Sequence, residues 1–164
     1  MEQMGLPVGK SYSGKIELSV DFEDAQMDAH LYTERLHLES VKARDVDDYA
    51  RLFGDSTVMG LYASGTTRSY EQTATRIKSS WIPRWERGYP FSAFVIRDLE
   101  TSAFIGHIVA GDGDDMGFDK TGQLGYSEMA YLIERVYWNQ GFGKEAAAAV
   151  VKEFIPYVVG KKYS

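Results

Sequence analysis

Apolar and polar residues alternate in several stretches of the chain. In KIELSVDF, Ile16, Leu18, Val20 and Phe22 alternate with polar neighbours, and in ERLHLESV Leu36 and Leu38 do the same. A period of two puts alternate side chains on one face, so both stretches predict strands. FSAFVIR and AFIGHIVAG predict two more, with DLETS between them as a hairpin turn. LGYSEMAYLI predicts another. Helical spacing occurs in three places. Val46, Tyr49, Ala50 and Phe53 share a face, with Asp45 as cap and Gly54 as stop. Ser69 and Gln72 have capping-box spacing ahead of Ala74, Ile77 and Trp81, and Pro83 is expected to end or kink that helix near Trp81. From Gly143 to Ile155 the pattern is helical again, and Pro156 is expected to break it. The resulting order predicts an α+β domain with a largely antiparallel sheet. MEQMGLPVGKSYSG is rich in Gly and Ser and reads as a loose lead-in. Residues 1–30 are therefore expected to form an N-terminal extension with an extra strand, and residues 31–164 the main domain.

Composition narrows the chemistry. The 164 residues suit one domain with a real core. There is no cysteine, which excludes disulfides, thiolate zinc sites and a cysteine nucleophile. A net charge of −6 argues against nucleic acid as a partner, because phosphate binding wants a basic face. No signal-peptide pattern opens the chain, and the apolar run Ala146 to Val151 is far too short to span a membrane. The expected location is the cytoplasm, with no membrane partner. His30, His37 and His107 lack metal-ligand spacing, so no metal is expected. Asp112, Asp114 and Asp119 suggest a calcium loop, but Met116 and Gln123 stand where that loop needs oxygen ligands. The segment reads as a solvated hairpin loop.

The most informative stretch is YWNQGFGKEA, residues 137 to 146. Gly141 and Gly143 stand at the mouth of a helix with Lys144 behind them. A helix N-terminus presents N–H groups and a partial positive charge, and glycines there let an anion approach. The other reading is a glycine turn into an ordinary helix with Lys144 solvated. Gly141, Gly143 and Ala146 formally fit a dinucleotide fingerprint, but the last acid of the chain, Glu153, comes too soon for the ribose contact. A Walker loop fails because Glu145 follows Lys144.

The stretch resembles the acetyl-CoA pyrophosphate loop of the GNAT superfamily of N-acyltransferases. Trp138 departs from the general pattern there, but the run is similar to the RimJ/RimL-type branch, where Trp-Gly-Lys-Gly-Tyr-Ala-Thr-Glu-Ala is usual. LYTERLHLESV resembles that branch's opening strand, with TERL intact. FSAFVIRDLETSAFIGHI resembles its central hairpin, including Ile105-Gly106, and GYSEMAYLIERVYWNQGFGKEA its fourth strand and loop. The resemblance runs from about Leu31 to Ile155.

It implies a GNAT fold, a mostly antiparallel sheet flanked by helices, and transfer of an acetyl group from acetyl-CoA, as co-substrate, to a primary amine. The acceptor would be a protein N-terminus or a small amine. Tyr131, Leu132 and Ile133 would bind the pantetheine arm through their backbone. Trp138, Asn139, Gln140, Gly141, Phe142, Gly143 and Lys144 would form the pyrophosphate loop. Glu128 would be the general base that takes the proton from the amine. Tyr62 and Trp85 would line the acceptor site, whereas Trp81, at helical spacing, reads as core. Family members continue with further strands past this helix. Such a chain as this is expected to be C-terminally short, with the extra N-terminal strand or a second copy of the chain, in a homodimer, covering the vacated edge. The alternative is a catalytically weak acyl-CoA-binding or dimerisation module of the same fold.

Overall fold

A computed structural model describes residues 17–23, 26–60, 65–111 and 128–163. The expected hairpin loop with Asp112, Asp114 and Asp119, the first residues of the expected strand LGYSEMAYLI, and Tyr62 lie outside these residues. Among the described residues, six strands form one antiparallel sheet: β1 Glu17–Glu23, β2 Gln26–Tyr32, β3 Leu36–Ser40, β4 Ala93–Asp98, β5 Phe104–Gly111 and β6 Glu128–Ile133. They pair in chain order, with β1 at one edge and β6 at the other. The N-terminal strand therefore does not cover the edge beyond β6. It lies on the far side of the sheet because its short connection to β2 leaves an antiparallel hairpin as the available pairing.

Strand β2 crosses residue 30 and makes the sheet continuous there. It buries Met27, Ala29 and Leu31 and turns Gln26, Asp28, His30 and Tyr32 to the other face. The hairpin β4–β5 forms where DLETS predicts it, with Asp98 accepting from the N–H groups of Glu100 and Thr101. Opposite Ile96 the register shifts, leaving Ile105 as an extra residue beside Gly106.

Between β3 and β4 come α1 Val46–Phe53, the single turn α2 Ser56–Met59, α3 Tyr70–Arg76 and α4 Ile82–Glu86. The capping box holds: Ser69 Oγ accepts from Gln72 N–H at 3.1 Å, and Ser69 N–H donates to the Gln72 side chain at 2.8 Å. Asp45 acts differently from expectation. It accepts from Lys42 N–H and from Arg97, not from the first turn of α1.

Neither Pro83 nor Pro156 breaks its helix. A π turn, Ile77–Trp81, joins α3 to α4, and another, Ala149–Phe154, joins α5 Phe142–Ala148 to α6 Ile155–Tyr163. Each π turn ends two residues before the proline. The wider turn bonds five residues apart, as from Ile82 N–H to Ile77 C=O, which shifts the ladder where the proline has no N–H to give.

Helix α1 covers one face of the sheet and α5 the other. On the α1 face, His107 is fully buried among Tyr49, Phe53 and Trp81. The Tyr49 hydroxyl donates to the Phe94 carbonyl at 3.1 Å, so its oxygen accepts from His107 Nδ1–H at 2.8 Å. Burial first, then the Arg76 and Arg68 charges, push the His107 pKa down to about 3. The unfolded imidazole titrates near 6.5. The folded form is thus fully favoured above pH 6.5 and loses stability as pH falls through 6.5 towards 3, where only the unfolded chain takes the proton. One proton is about 1.4 kcal/mol per pH unit, so about 2 kcal/mol should be lost between pH 6.5 and 5. His37, also lowered by burial, adds in the same direction. Urea titrations across that range should show the slope, and His107→Leu should flatten it by about one proton. An unchanged slope in that variant would contradict a neutral buried His107.

Candidate active site

Strand β6 leads into the glycine loop, and the sheet register fixes which backbone groups it offers. Glu134 N–H donates to Ile105 C=O at 2.9 Å. Alternation along the ladder turns the Leu132 backbone towards His107 on β5, and the Met129, Tyr131 and Ile133 backbones towards the outer edge. Of the three residues expected to face pantetheine, Tyr131 and Ile133 are so oriented and Leu132 is not. No strand pairs with that edge among the described residues. The Ile133 carbonyl accepts the Trp138 indole N–H at 2.6 Å, so Trp138 ties the loop to the strand it leaves.

After a 3₁₀ turn, Arg135–Tyr137, the backbone turns left-handed twice, at Asn139 (φ 66°) and Gly141 (φ 82°). Gly141 is the residue before the first turn of α5, and its carbonyl accepts the first helical N–H, that of Glu145. A left-handed residue followed by right-handed ones gathers successive N–H groups into a concavity that suits an anion. The N–H groups of Phe142, Gly143 and Lys144 precede the helical ladder. Lys144 is only 8% exposed, so a solvated lysine is not what the fold contains.

Gly143 also meets a packing constraint, beside the cradle expected of it. A Cβ there would lie 2.2 Å from the Tyr131 ring, which packs directly on the helix backbone. Substituting Gly143 therefore tests the contact between β6 and α5 as well as the anion cradle.

The loop is held from below by a latch that connects chain positions 110 residues apart. Glu145 is 4% exposed. Its carboxylate accepts from the Thr33 hydroxyl at 2.5 Å, Arg35 N–H at 2.9 Å and Arg35 Nε at 2.7 Å. The same guanidinium donates to the Gln140 carbonyl at 2.8 Å and lies 4.4 Å over the Phe142 ring. Arg35 and Thr33 belong to the TERL motif and Glu145 to the helix start. Both were visible in the sequence, but nothing local to either names the other. Two ion pairs fasten the loop's other end to the helical layer: Arg51 with Glu134 and Arg135 with Asp55, each at 2.8 Å.

A family model for the acetyltransferase (GNAT) domain matches residues 35–159. The chain belongs to the GNAT acetyltransferase family. An uncharacterized protein of Bacillus subtilis (strain 168), YkkB, is 31% identical over 120 residues. That match takes 73% of this chain and 64% of the relative, so the chain spans less than two thirds of the relative's length. The crystal structure of a GNAT-family acetyltransferase from Bacillus anthracis superposes with a TM-score of 0.56 at 21% identity. It covers 77% of this chain and 68% of that one, and it supports the fold.

The remaining expected site residues fall as follows. Glu128 is the first residue of β6, opposite Gly111 on β5, and its side chain is outside the described part. Trp85 is 3% exposed, packs against Phe94 and Phe154, and donates its indole N–H to the Ala93 carbonyl at 3.0 Å. It is a core residue whose edge reaches a shallow depression beside Met27, Val41 and Ile82. Trp81 is core, as its spacing predicts. No helix among the described residues is long and apolar enough to cross a membrane.

Proposed function

We propose that this GNAT-family chain is an acetyl-CoA-dependent N-acetyltransferase of the RimJ/RimL type, acting in the cytoplasm on a primary amine, either a protein N-terminus or a small amine. The observation that carries the reading is the junction of the outer β6 edge, with which no strand among the described residues pairs, with the left-handed turn at Gly141. Pantetheine would add to β6 as an extended partner, meeting the outward backbone of Tyr131 and Ile133. The N–H groups of Phe142, Gly143 and Lys144 would take the pyrophosphate, with Asn139, Gln140 and Trp138 shaping the turn.

The thioester supplies the activated carbonyl, so the chain mainly positions and polarises. The amine nitrogen forms a bond to the carbonyl carbon, and an outward N–H of β6 would face the oxygen that gains charge. Glu128 would take the proton from the attacking nitrogen, and the C–S bond would break to release the thiolate. The partners are acetyl-CoA and the amine, with neither nucleic acid nor a membrane surface among them. A second copy of the chain covering the outer part of the β6 edge would make the active form a homodimer.

The test is calorimetric titration with acetyl-CoA, with NAD as the control. Gly141→Val is expected to weaken acetyl-CoA by more than about tenfold, because a β-branched residue resists a positive φ. Glu128→Gln should keep the affinity and lower turnover by about a hundredfold. Undiminished affinity in a folded Gly141→Val chain would sink the cradle. Binding without turnover in the wild-type chain would favour the acyl-CoA-binding module.

A further inference from the structure

The two histidines that have no metal spacing along the chain meet across β2 and β3. His30 faces Glu39 in the strand register, and His37 faces Tyr32, so all four side chains share the face opposite α5. His30 Nδ1 and His37 Nε2 are 3.0 Å apart. Glu39 Oε2 lies 4.0 Å from the first and 3.8 Å from the second. The circle through these three atoms has a radius of about 2 Å, which matches the length of a zinc bond to imidazole nitrogen or carboxylate oxygen, about 2.0–2.2 Å. We propose that His30, His37 and Glu39 ligate a divalent transition-metal ion, Zn²⁺ being the ion that this donor set suits, with Asp28 as the residue that orients His30.

The surroundings are those of a metal-ligating group. Asp28 Oδ2 sits 3.1 Å from His30 Nε2 and takes its N–H, which leaves Nδ1 with its lone pair towards His37 and Glu39. A carboxylate behind a histidine is the usual support of a metal-bound imidazole. The Glu39 carboxylate is split in the same sense. Arg97 Nε and Arg44 both donate to Oε1, at 3.0 and 3.2 Å, so Oε2 is left to the histidines. Arg97 also pairs with Asp45 at 2.5 Å, which offsets its charge beside the cluster. The Tyr32 ring stacks on His37 at 4.6 Å and fixes its plane. Burial holds His37 below the ordinary histidine range, against the pull of Glu39, so its ring is neutral at pH 7.

With His30 Nδ1 bare, the contact between the two rings is a proton on His37 Nε2. Metal entry needs that proton to move, through solvent, from His37 Nε2 to Nδ1, so that the ring stays neutral and Nε2 gives its lone pair to the ion. Small rotations of both rings bring their lone pairs onto the ion. Three protein ligands leave at least one position for water. Three strands separate β2 from β6, so the ion would staple the β2–β3 pair and take no part in acyl transfer.

The experiment titrates the tag-free, chelator-stripped full chain with Zn²⁺ by calorimetry in two buffers of different ionisation enthalpy. One saturable site is expected, with little net proton release, because both rings bind in their neutral form. His30→Ala and His37→Ala should each weaken it more than tenfold, and Asp28→Asn about tenfold. Circular dichroism checks that each variant is folded. The Co²⁺-loaded wild-type chain gives a reading that needs no variant: intense d–d bands of a four- or five-coordinate site are expected. The proposal is overturned by a saturable Zn²⁺ site that survives the double histidine variant, by the absence of a saturable site, or by the weak spectrum of six-coordinate Co²⁺.

Discussion

Gly106→Ala should lower the stability of the chain by about 3 kcal/mol, the upper end of the range for overpacking a core. For a domain of this size that is a fall in Tm of about 10 °C. The reason is the position of the glycine beside the extra residue of β5. The β4–β5 register shifts at Ile105, and the next residue, Gly106, pairs with Ile133 on β6. A Cβ there would sit 2.2 Å from the Leu132 carbonyl oxygen and 3.1 Å from both Cα and Cδ1 of Ile133. The obstacle is mainly backbone, which yields only if β5 and β6 move apart. Those are the strands whose pairing sets the outward groups of Tyr131 and Ile133, so acetyl-CoA affinity should fall with stability. Gly160→Ala is the control. Nothing lies within 4 Å of that Cβ, and alanine in an exposed helix should be neutral or stabilising by up to about 1 kcal/mol. Paired thermal melts of the two variants decide the matter. Equal melting temperatures would mean that β5 and β6 are not packed as described.

Gly106 shows what the sequence reveals and what it withholds. Its place in an Ile-Gly pair was legible as part of a family hairpin, but the carbonyl that makes glycine necessary comes from a strand 26 residues on. The features read correctly were local ones. The hairpin at DLETS and the capping box at Ser69 and Gln72 depend on neighbours within five residues. Strand β2 does alternate, Met27, Ala29 and Leu31 against Gln26, Asp28 and His30, but Ala29 is a weak apolar signal and a boundary set at residue 30 cuts through the strand. The prolines misled for a physical reason: Pro83 and Pro156 do end a regular α ladder, but a π turn before each lets the helix continue. At the candidate site, the glycine loop was legible and its supports were not. The ring of Tyr131 on Gly143, the pairing of His30 with His37 and the burial of Trp85 are facts of the third dimension.

The latch is the strongest of those supports, and Glu145→Ala should show it. Removing one partner of a buried ion pair costs about 3–5 kcal/mol when the other is left without a counter-charge. Arg35 is partly exposed, at 42%, and can turn to water, so the lower figure, about 3 kcal/mol, is expected. Thr33 has no such escape, being 4% exposed, and its hydroxyl would lose its acceptor. Glu145→Gln keeps the shape and one acceptor oxygen but sets an NH₂ group against an Arg35 donor, so its loss should be intermediate. A cycle of Glu145→Ala with Arg35→Ala should return a coupling of more than about 1 kcal/mol. The effect should not stop at stability. Arg35 also holds the Gln140 carbonyl and the Phe142 ring, so freeing it loosens both sides of Gly141. Acetyl-CoA affinity in the folded Glu145→Gln chain should therefore fall, although Glu145 itself points away from the loop and into the TERL turn. A chain that loses stability but keeps its affinity would show that the latch serves the fold alone. A fall in both would show that the opening strand of the domain and the mouth of its last helix are one mechanical unit, with the glycine turn set by a side chain it does not touch.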